Sequence, residues 1–293
     1  MIEKVQSASS AIQAHHIESI LTVLVYIEAH LDEPLSLQKL AKIAHISPYY
    51  FHRLFHAYLS KPPREYIKHT RFTQSAKRLQ YSHMSITDIA FAMGYENASS
   101  FTRAFFQLTG KSPRIYRRET WHRLHLLNPS IVSHRIISQP TYLYREEQTV
   151  FFRRKMGDYQ VTVIEGIRDC QREMTLRKTR FLTCYGVALD DPSTVLRAMC
   201  RFDICVSASA SIQYKGHWGQ RKLAGGKYAV FTHCGPFSEL EERFTSLFYL
   251  WHTSCKEKLR FTGAFCEYVD LSLDISISPS TEVTAKYYVP LLE

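Results

Sequence analysis

The chain has 293 residues, 45% hydrophobic and 22% charged, enough for two domains that each bury a core of their own. No apolar run approaches the roughly 18 residues of a membrane span, and the opening MIEKVQSASSAIQAHH lacks a signal peptide's apolar centre, so a cytoplasmic protein with no membrane partner is expected. A net charge of +10 favours an anionic partner, while an odd set of 7 cysteines with no CxxC pair argues against a disulfide framework or a zinc ribbon.

The charge is clustered. Between Lys61 and Arg118 the basic side chains Lys61, Arg64, Lys68, Arg71, Lys77, Arg78, Arg103, Lys111, Arg114, Arg117 and Arg118 are set against only Glu65, Asp88 and Glu96. A basic cluster in a helical region points to nucleic acid, with a merely solvated basic face as the alternative.

After an N-terminal extension over 1–16, Ser36 is placed to cap a helix reaching about Ala44, and Ser47 caps the next, with Pro48 where a missing N–H costs nothing. In that second helix Phe51, Leu54, Phe55 and Tyr58 form a stripe at helical spacing, leaving Tyr49, His52, Arg53 and His56 on the opposite face. Arg64 to Gln80 then reads as one helix of 17 residues, roughly 25 Å long. The pattern repeats: Ser85 caps Ile86 to Met93, Gly94 makes the turn, and Asn97 caps Ala98 to Leu108. There Phe101, Phe105 and Leu108 form the stripe, and Ser99, Ser100, Arg103 and Gln107 point away from it.

Short helix, turn, second amphipathic helix is the helix-turn-helix plan, present here twice. On the outward faces, Arg53 and Arg103 could fork onto guanine, His52 donate or accept, and Tyr49 pack a thymine methyl; the plainer alternative is a solvated helix surface. The 17-residue helix would hold the two motifs about one DNA turn apart.

Beyond about His134 the texture changes. HRIISQ, TVFFRRK, FDICVSASASI, KYAVFTHC and AKYYVPLL read as strands, with helices over Tyr159 to Thr175 and Phe237 to Lys258. This half repeats too: FFRRKMGDYQVTVIEGI and VFTHCGPFSELEERFTSL share strand, Gly-Asp/Pro-aromatic and helix, and Tyr185 and Tyr268 each lie in a later strand followed by acidic residues. Two such β-α-β-β copies would enclose a groove suited to a small molecule.

Residues from about Ile17 to Arg118 resemble the AraC/XylS family DNA-binding domain, through Tyr66, Ile67 and Arg71 of the long helix, then Ile86, Ile89, Ala90, Gly94 and Tyr95, then Phe101, Arg103, Phe105, Gly110, Pro113, Tyr116 and Arg117. The resemblance implies base contacts from Tyr49, His52 and Arg53 in the first motif and from Ala98, Ser99 and Arg103 in the second. Asn97, through its helix terminus, and Lys111 are expected on phosphates. Three positions depart from the family pattern: Ser60 stands in place of the usual Gly, Phe106 in place of a phosphate-binding Lys, and Ala98 and Ser99 in place of longer amides.

His134 to Glu293 resembles the GyrI-like effector-binding domain, through Gly157-Asp158-Tyr159, Tyr185-Gly186-Val187 with Asp190-Asp191-Pro192, Arg201 to Cys205, Ala224 to Phe231, Gly235-Pro236-Phe237 and Tyr287 to Leu291. That implies an amphipathic, often cationic ligand held by aromatic walls and a glutamate, for which Tyr185, Trp218, Tyr228, Glu267 and Tyr268 are the candidates; the alternative for each aromatic is ordinary core. Alternation along a strand sets Glu267 and Tyr268 on opposite faces unless a bulge intervenes.

Catalysis is not expected: His233 and Cys234 are neighbours in a strand and so diverge, and the pair His252 and Cys255 lacks an orienting carboxylate. No metal site or cofactor is indicated. The expected architecture is α + (α+β): an all-helical domain over 17–118 with two helix-turn-helix motifs joined by a spacer helix, a linker over 119–133, and a pseudo-twofold α+β domain over 134–293. The expected activity is transcriptional regulation, read as activation, with duplex DNA, RNA polymerase and a small-molecule effector as partners. A ligand-binding or hydrolysing protein with secondary DNA attachment is the alternative.

Overall fold

The computed structural model describes residues 2–126, 139–177, 183–207, 218–255, 257–261, 263–269, 271 and 276–292. The chain divides into two compact units, one built chiefly from Met1–Leu79 and Met84–Pro113, the other chiefly from Arg114–Ser211 and Lys222–Glu293.

The first unit is helical: α1 (Ile2–Ala29), α2 (Leu37–Ile43), α3 (Pro48–Leu59), α4 (Pro63–Tyr81), α5 (Ile86–Ala92) and α6 (Ala98–Thr109). The caps form where the sequence places them. Ser36, Ser47, Ser85 and Asn97 each accept the backbone N–H three residues on, from Lys39, Tyr50, Asp88 and Ser100, each bond worth about 1 kcal/mol. Ile20, Leu21, Val23, Leu24 and Ile27 of α1 are buried together with Leu40, Phe51 and Phe55. α4 touches both later helices of the pairs: Tyr66 meets Phe55 edge-on at 5.6 Å, and Phe72 meets Phe105 at 5.4 Å.

Two details differ from expectation. α4 is longer than the stretch read from the sequence, spanning 19 residues. Leu108 is 45% exposed instead of joining the core, because it lies in the last turn of α6, past the point where Phe105 meets α4.

Helix α7 (Pro113–Leu126) covers the start of the expected linker; the rest of it, 127–133, lies outside the described residues, as does 134–138 of the expected HRIISQ strand. The second unit carries β1 (Thr141–Arg145), β2 (Gln148–Met156), α8 (Tyr159–Arg177), β3 (Cys184–Ala188), β4 (Arg201–Val206), β5 (Gly219–Leu223), β6 (Gly226–Pro236), α9 (Leu240–Ser254), β7 (Phe265–Tyr268) and β8 (Glu282–Pro290). The helix expected to reach Lys258 ends at Ser254, and the FDICVSASASI segment is strand only to Val206, its continuation from 208 lying outside the described residues.

The sheet order is β1-β6-β8-β7-β3-β4-β2-β5. In it β2-α8-β3-β4 and β6-α9-β7-β8 take corresponding places on either side of the central antiparallel β7-β3 pair, and the outer strands are exchanged, β1 pairing with β6. One sheet face is covered by the helices: Arg153 and Lys155 of β2 form ion pairs with Glu173 and Asp169 of α8, while Phe231 meets Trp251 of α9 edge-on and Tyr287 stacks on Phe244 of the same helix. Alternation puts Phe152, Arg154, Tyr185, Asp203, Tyr228, Phe265, Glu267 and Tyr288 on the other face.

Among the described residues, two buried ion pairs brace this unit. Arg154 meets Asp203 through Nε at 2.7 Å and Nη2 at 2.9 Å, and Arg201 meets Asp190 through Nη2 at 2.7 Å and Nε at 2.8 Å. Such forked pairing satisfies the lone pairs that burial would otherwise leave exposed to the low-dielectric interior.

Candidate nucleic-acid interface and effector site

The outward face of α3 carries Tyr49, His52, Arg53 and His56, all exposed, while Phe51 and Phe55 turn inward. Tyr49 is 73% exposed, and the Arg53 guanidinium lies over its ring at 5.9 Å. On α6, Ser99 and Arg103 are exposed and Ala98 is half-buried beside the Asn97 cap. Lys111 is exposed just past the helix, where its backbone N–H donates to Thr109 Oγ1.

Not every basic residue of the cluster faces outward. Arg71 donates from Nε to Leu31 O at 3.1 Å and from Nη2 to Glu33 O at 2.9 Å, tying α4 to the chain after α1. Arg78 bonds Gln74 along its own helix, and burial lowers its pKa to about 10. The exposed cations of the cluster are Arg64, Arg103, Lys111, Arg114 and Arg118, with Arg53 ahead of it.

In the second unit the structure gathers Tyr185, Tyr228 and Glu267 with residues the sequence reading did not single out as ligand-binding: Arg145, Gln148, Phe265 and Tyr288. Tyr288 stacks on Phe265 at 4.4 Å, and Tyr185 and Tyr228 meet Phe265 edge-on at 5.8 and 5.7 Å. Glu267 Oε2 accepts the Tyr288 hydroxyl at 2.6 Å. Burial, together with that bond to the carboxylate, pushes the Tyr288 phenol well up.

Strand β7 has no bulge in its pairing with β3, so Glu267 and Tyr268 diverge. Tyr268 turns to the helix-covered face, where it stacks on Phe237 at 5.8 Å, apart from the cluster around Glu267. Trp218 is buried just before β5. The signal that could have found Arg145 is the run TYLYR, in which Thr141, Leu143 and Arg145 share one strand face ahead of a Glu146-Glu147 turn.

Most of the cysteines are apolar filling, Cys234 and Cys255 excepted. Cys170, Cys184, Cys200, Cys205 and Cys266 are buried, and burial pushes the Cys170 and Cys200 thiols up to about 12. His233 is buried while its neighbour Cys234 is exposed, so the two diverge. Among the described residues no helix is long and apolar enough to cross a membrane.

Residues 40–119 match the helix-turn-helix domain family, and residues 138–292 match the GyrI-like small molecule binding domain family. The chain is 37% identical over 113 residues to YobQ of Bacillus subtilis, an HTH-type transcriptional regulator, in a match covering 39% of this chain and 45% of that one. It is 32% identical over 109 residues to the regulatory protein SoxS of Salmonella typhimurium, covering 37% of this chain and 98% of SoxS. To the right origin-binding protein of Escherichia coli it is 34% identical over 99 residues, covering 34% of each chain. The chain thus spans less than half the length of YobQ and of the right origin-binding protein. On these two matched domains, the chain belongs to the AraC/XylS family of helix-turn-helix proteins, with a GyrI-like small-molecule-binding domain as its second half.

Proposed function

We propose that the chain is a sequence-specific DNA-binding transcriptional activator whose second half senses a small amphipathic, cationic ligand. Helices α3 and α6 act as recognition helices of two helix-turn-helix motifs, and α4 is the spacer that sets them in successive major-groove segments. The DNA-binding domain is 17–118, the linker 119–133 and the effector domain 134–293.

The observation that carries this reading is that α4 touches the buried side of both capped helices, at Phe55 and Phe105, while both present polar faces outward. Tyr49, His52 and Arg53 read bases under the first motif, and Arg103, with Ala98 and Ser99, under the second. Asn97 and Lys111 contact phosphates. Duplex DNA and RNA polymerase are the macromolecular partners. The effector domain binds its ligand and does not transform it, since His233 and Cys234 diverge and burial raises the Cys255 thiol.

The test is the binding of the full chain to a selected duplex at rising salt. If about six phosphates are neutralised, affinity falls on the order of a thousandfold between roughly 50 and 200 mM. A flat salt dependence, or equal affinity for selected and scrambled duplexes, overturns the reading.

A further inference from the structure

Arg145 closes strand β1, where its backbone pairs with Gly226, and its side chain projects into the aromatic cluster. The guanidinium carbon lies 5.4 Å from the Tyr185 ring centre, 5.2 Å from Phe265 and 5.1 Å from Tyr288. Nη2 donates to Gln148 Oε1 at 2.6 Å and to the Tyr185 hydroxyl at 3.0 Å, and Nη1 stands 3.6 Å from Glu267 Oε2. Three aromatic faces, a carboxylate and neutral oxygens are what a partly desolvated cation requires. Here the cation is the protein's own.

We propose that Arg145 is a tethered occupant of the effector site, filling the aromatic cage until a lipophilic cation displaces it. The inference rests on the effector-sensing reading above. Displacement needs only rotation of a flexible side chain: β1 is an outer strand of the sheet, with Thr141 to Tyr144 exposed, so the guanidinium can swing toward solvent while the backbone keeps its pairing with β6. Glu267 is the counter-charge in both states, meeting Arg145 in the closed one and the ligand in the open one. The closed state lowers the ligand's apparent affinity by the fraction of molecules in which the cage is free. A cation then gains entry only if its aromatic contacts and its charge together exceed those of the guanidinium. The arrangement screens out small, well-hydrated cations, which offer charge without apolar surface.

Calorimetric titration of the full chain with tetraphenylphosphonium tests this, with tetraphenylborate as the matched anion. Arg145→Met, which keeps the apolar stem and removes the charge, is expected to bind tetraphenylphosphonium at least about tenfold more tightly than the unsubstituted chain, because the closed state is removed. Glu267→Gln added to Arg145→Met is expected to reverse the gain. Arg145→Lys, which loses the planar fork but keeps the charge, is expected to fall between the two and covers the case that Arg145→Met does not fold. Tetraphenylphosphonium bound by the unsubstituted chain but no better by Arg145→Met and Arg145→Lys overturns the tether and leaves the sensor reading standing. Tetraphenylborate bound by the unsubstituted chain and lost in Arg145→Met also overturns it, making Arg145 an anion receptor. No binding of tetraphenylphosphonium by any of these proteins removes the sensor reading and the tether together.

Discussion

The two helix pairs of the first unit solve one backbone problem in two ways. Each buries a phenylalanine pair one turn apart, Phe51 with Phe55 at 5.4 Å and Phe101 with Phe105 at 5.6 Å. Each also needs a left-handed residue in its turn and another at its C-cap. The first pair places His45 (φ 56°) and Ser60 (φ 55°) there, and the second places Gly94 (φ 69°) and Gly110 (φ 68°). The reason is local at the turn. A Cβ on Gly94 would lie 2.5 Å from Arg71 Nη2 and 2.6 Å from Leu31 O, where there is no room for it. The turn at His45 has space for a side chain and carries the conformational cost instead.

The largest expected effect follows from that contact. Gly94→Ala puts a methyl against a backbone oxygen and against the guanidinium that holds Leu31 and Glu33, at a positive φ as well. The expected loss is about 3 kcal/mol, from the left-handed penalty and from the Arg71 hydrogen bonds that must give way. His45→Ala, which exchanges one L-residue for another, should change stability little. Urea denaturation of the full chain measures both, and a Gly94→Ala cost no greater than that of Gly110→Ala would break the comparison.

The pairs differ on their outward faces too. α3 offers Tyr49, His52 and Arg53, whereas α6 offers the short Ala98 and Ser99 beside one long side chain, Arg103, among the proposed base-reading positions. A good bidentate base contact discriminates by roughly 1 to 3 kcal/mol, so base changes under α3 should cost more than those under α6. Arg53→Ala and Arg103→Ala should both weaken binding, and Arg53→Ala should relax sequence preference over more positions. Binding of every single-base variant of a selected site measures this; equal penalties under both helices would refute the assignment.

What the sequence made legible was local. The caps at Ser36, Ser47, Ser85 and Asn97, and the inward stripe of Phe51, Phe55, Phe101 and Phe105, depend on residues three or four apart, and they are where the sequence puts them. Leu108 fits the same stripe yet is exposed, because periodicity marks a face and does not say how far the neighbouring helix extends along it. The divergence of Glu267 from Tyr268 was legible for the same local reason, strand alternation. Arg145 was not. Its partners Tyr185, Phe265 and Tyr288 come from β3, β7 and β8, and only the sheet order brings them to one place. The pairs Arg154–Asp203 and Arg201–Asp190 were hidden likewise, since they depend on strand register and on a return of the chain across the sheet.

The smallest expected effect isolates the C-caps. Ser60 and Gly110 end α3 and α6 in the same way, each donating its backbone N–H at 2.8 Å, to His56 O and to Phe106 O. Ser60→Gly removes the left-handed penalty, but glycine loses more backbone freedom on folding, so the net gain should be about 0.5 to 1 kcal/mol. Gly110→Ala runs the exchange in reverse. A Cβ there meets nothing within 4 Å, so the cost is conformational alone, about 1 kcal/mol. The two changes should therefore be nearly equal and opposite, and should cancel in the double variant, because neither touches the residues that the other does. Urea midpoints of the two single variants and the double variant decide it. If Gly110→Ala is costly while Ser60→Gly brings no gain, the Ser60 side chain must be stabilising α3 in a way that offsets its φ, and the equivalence of the two caps fails.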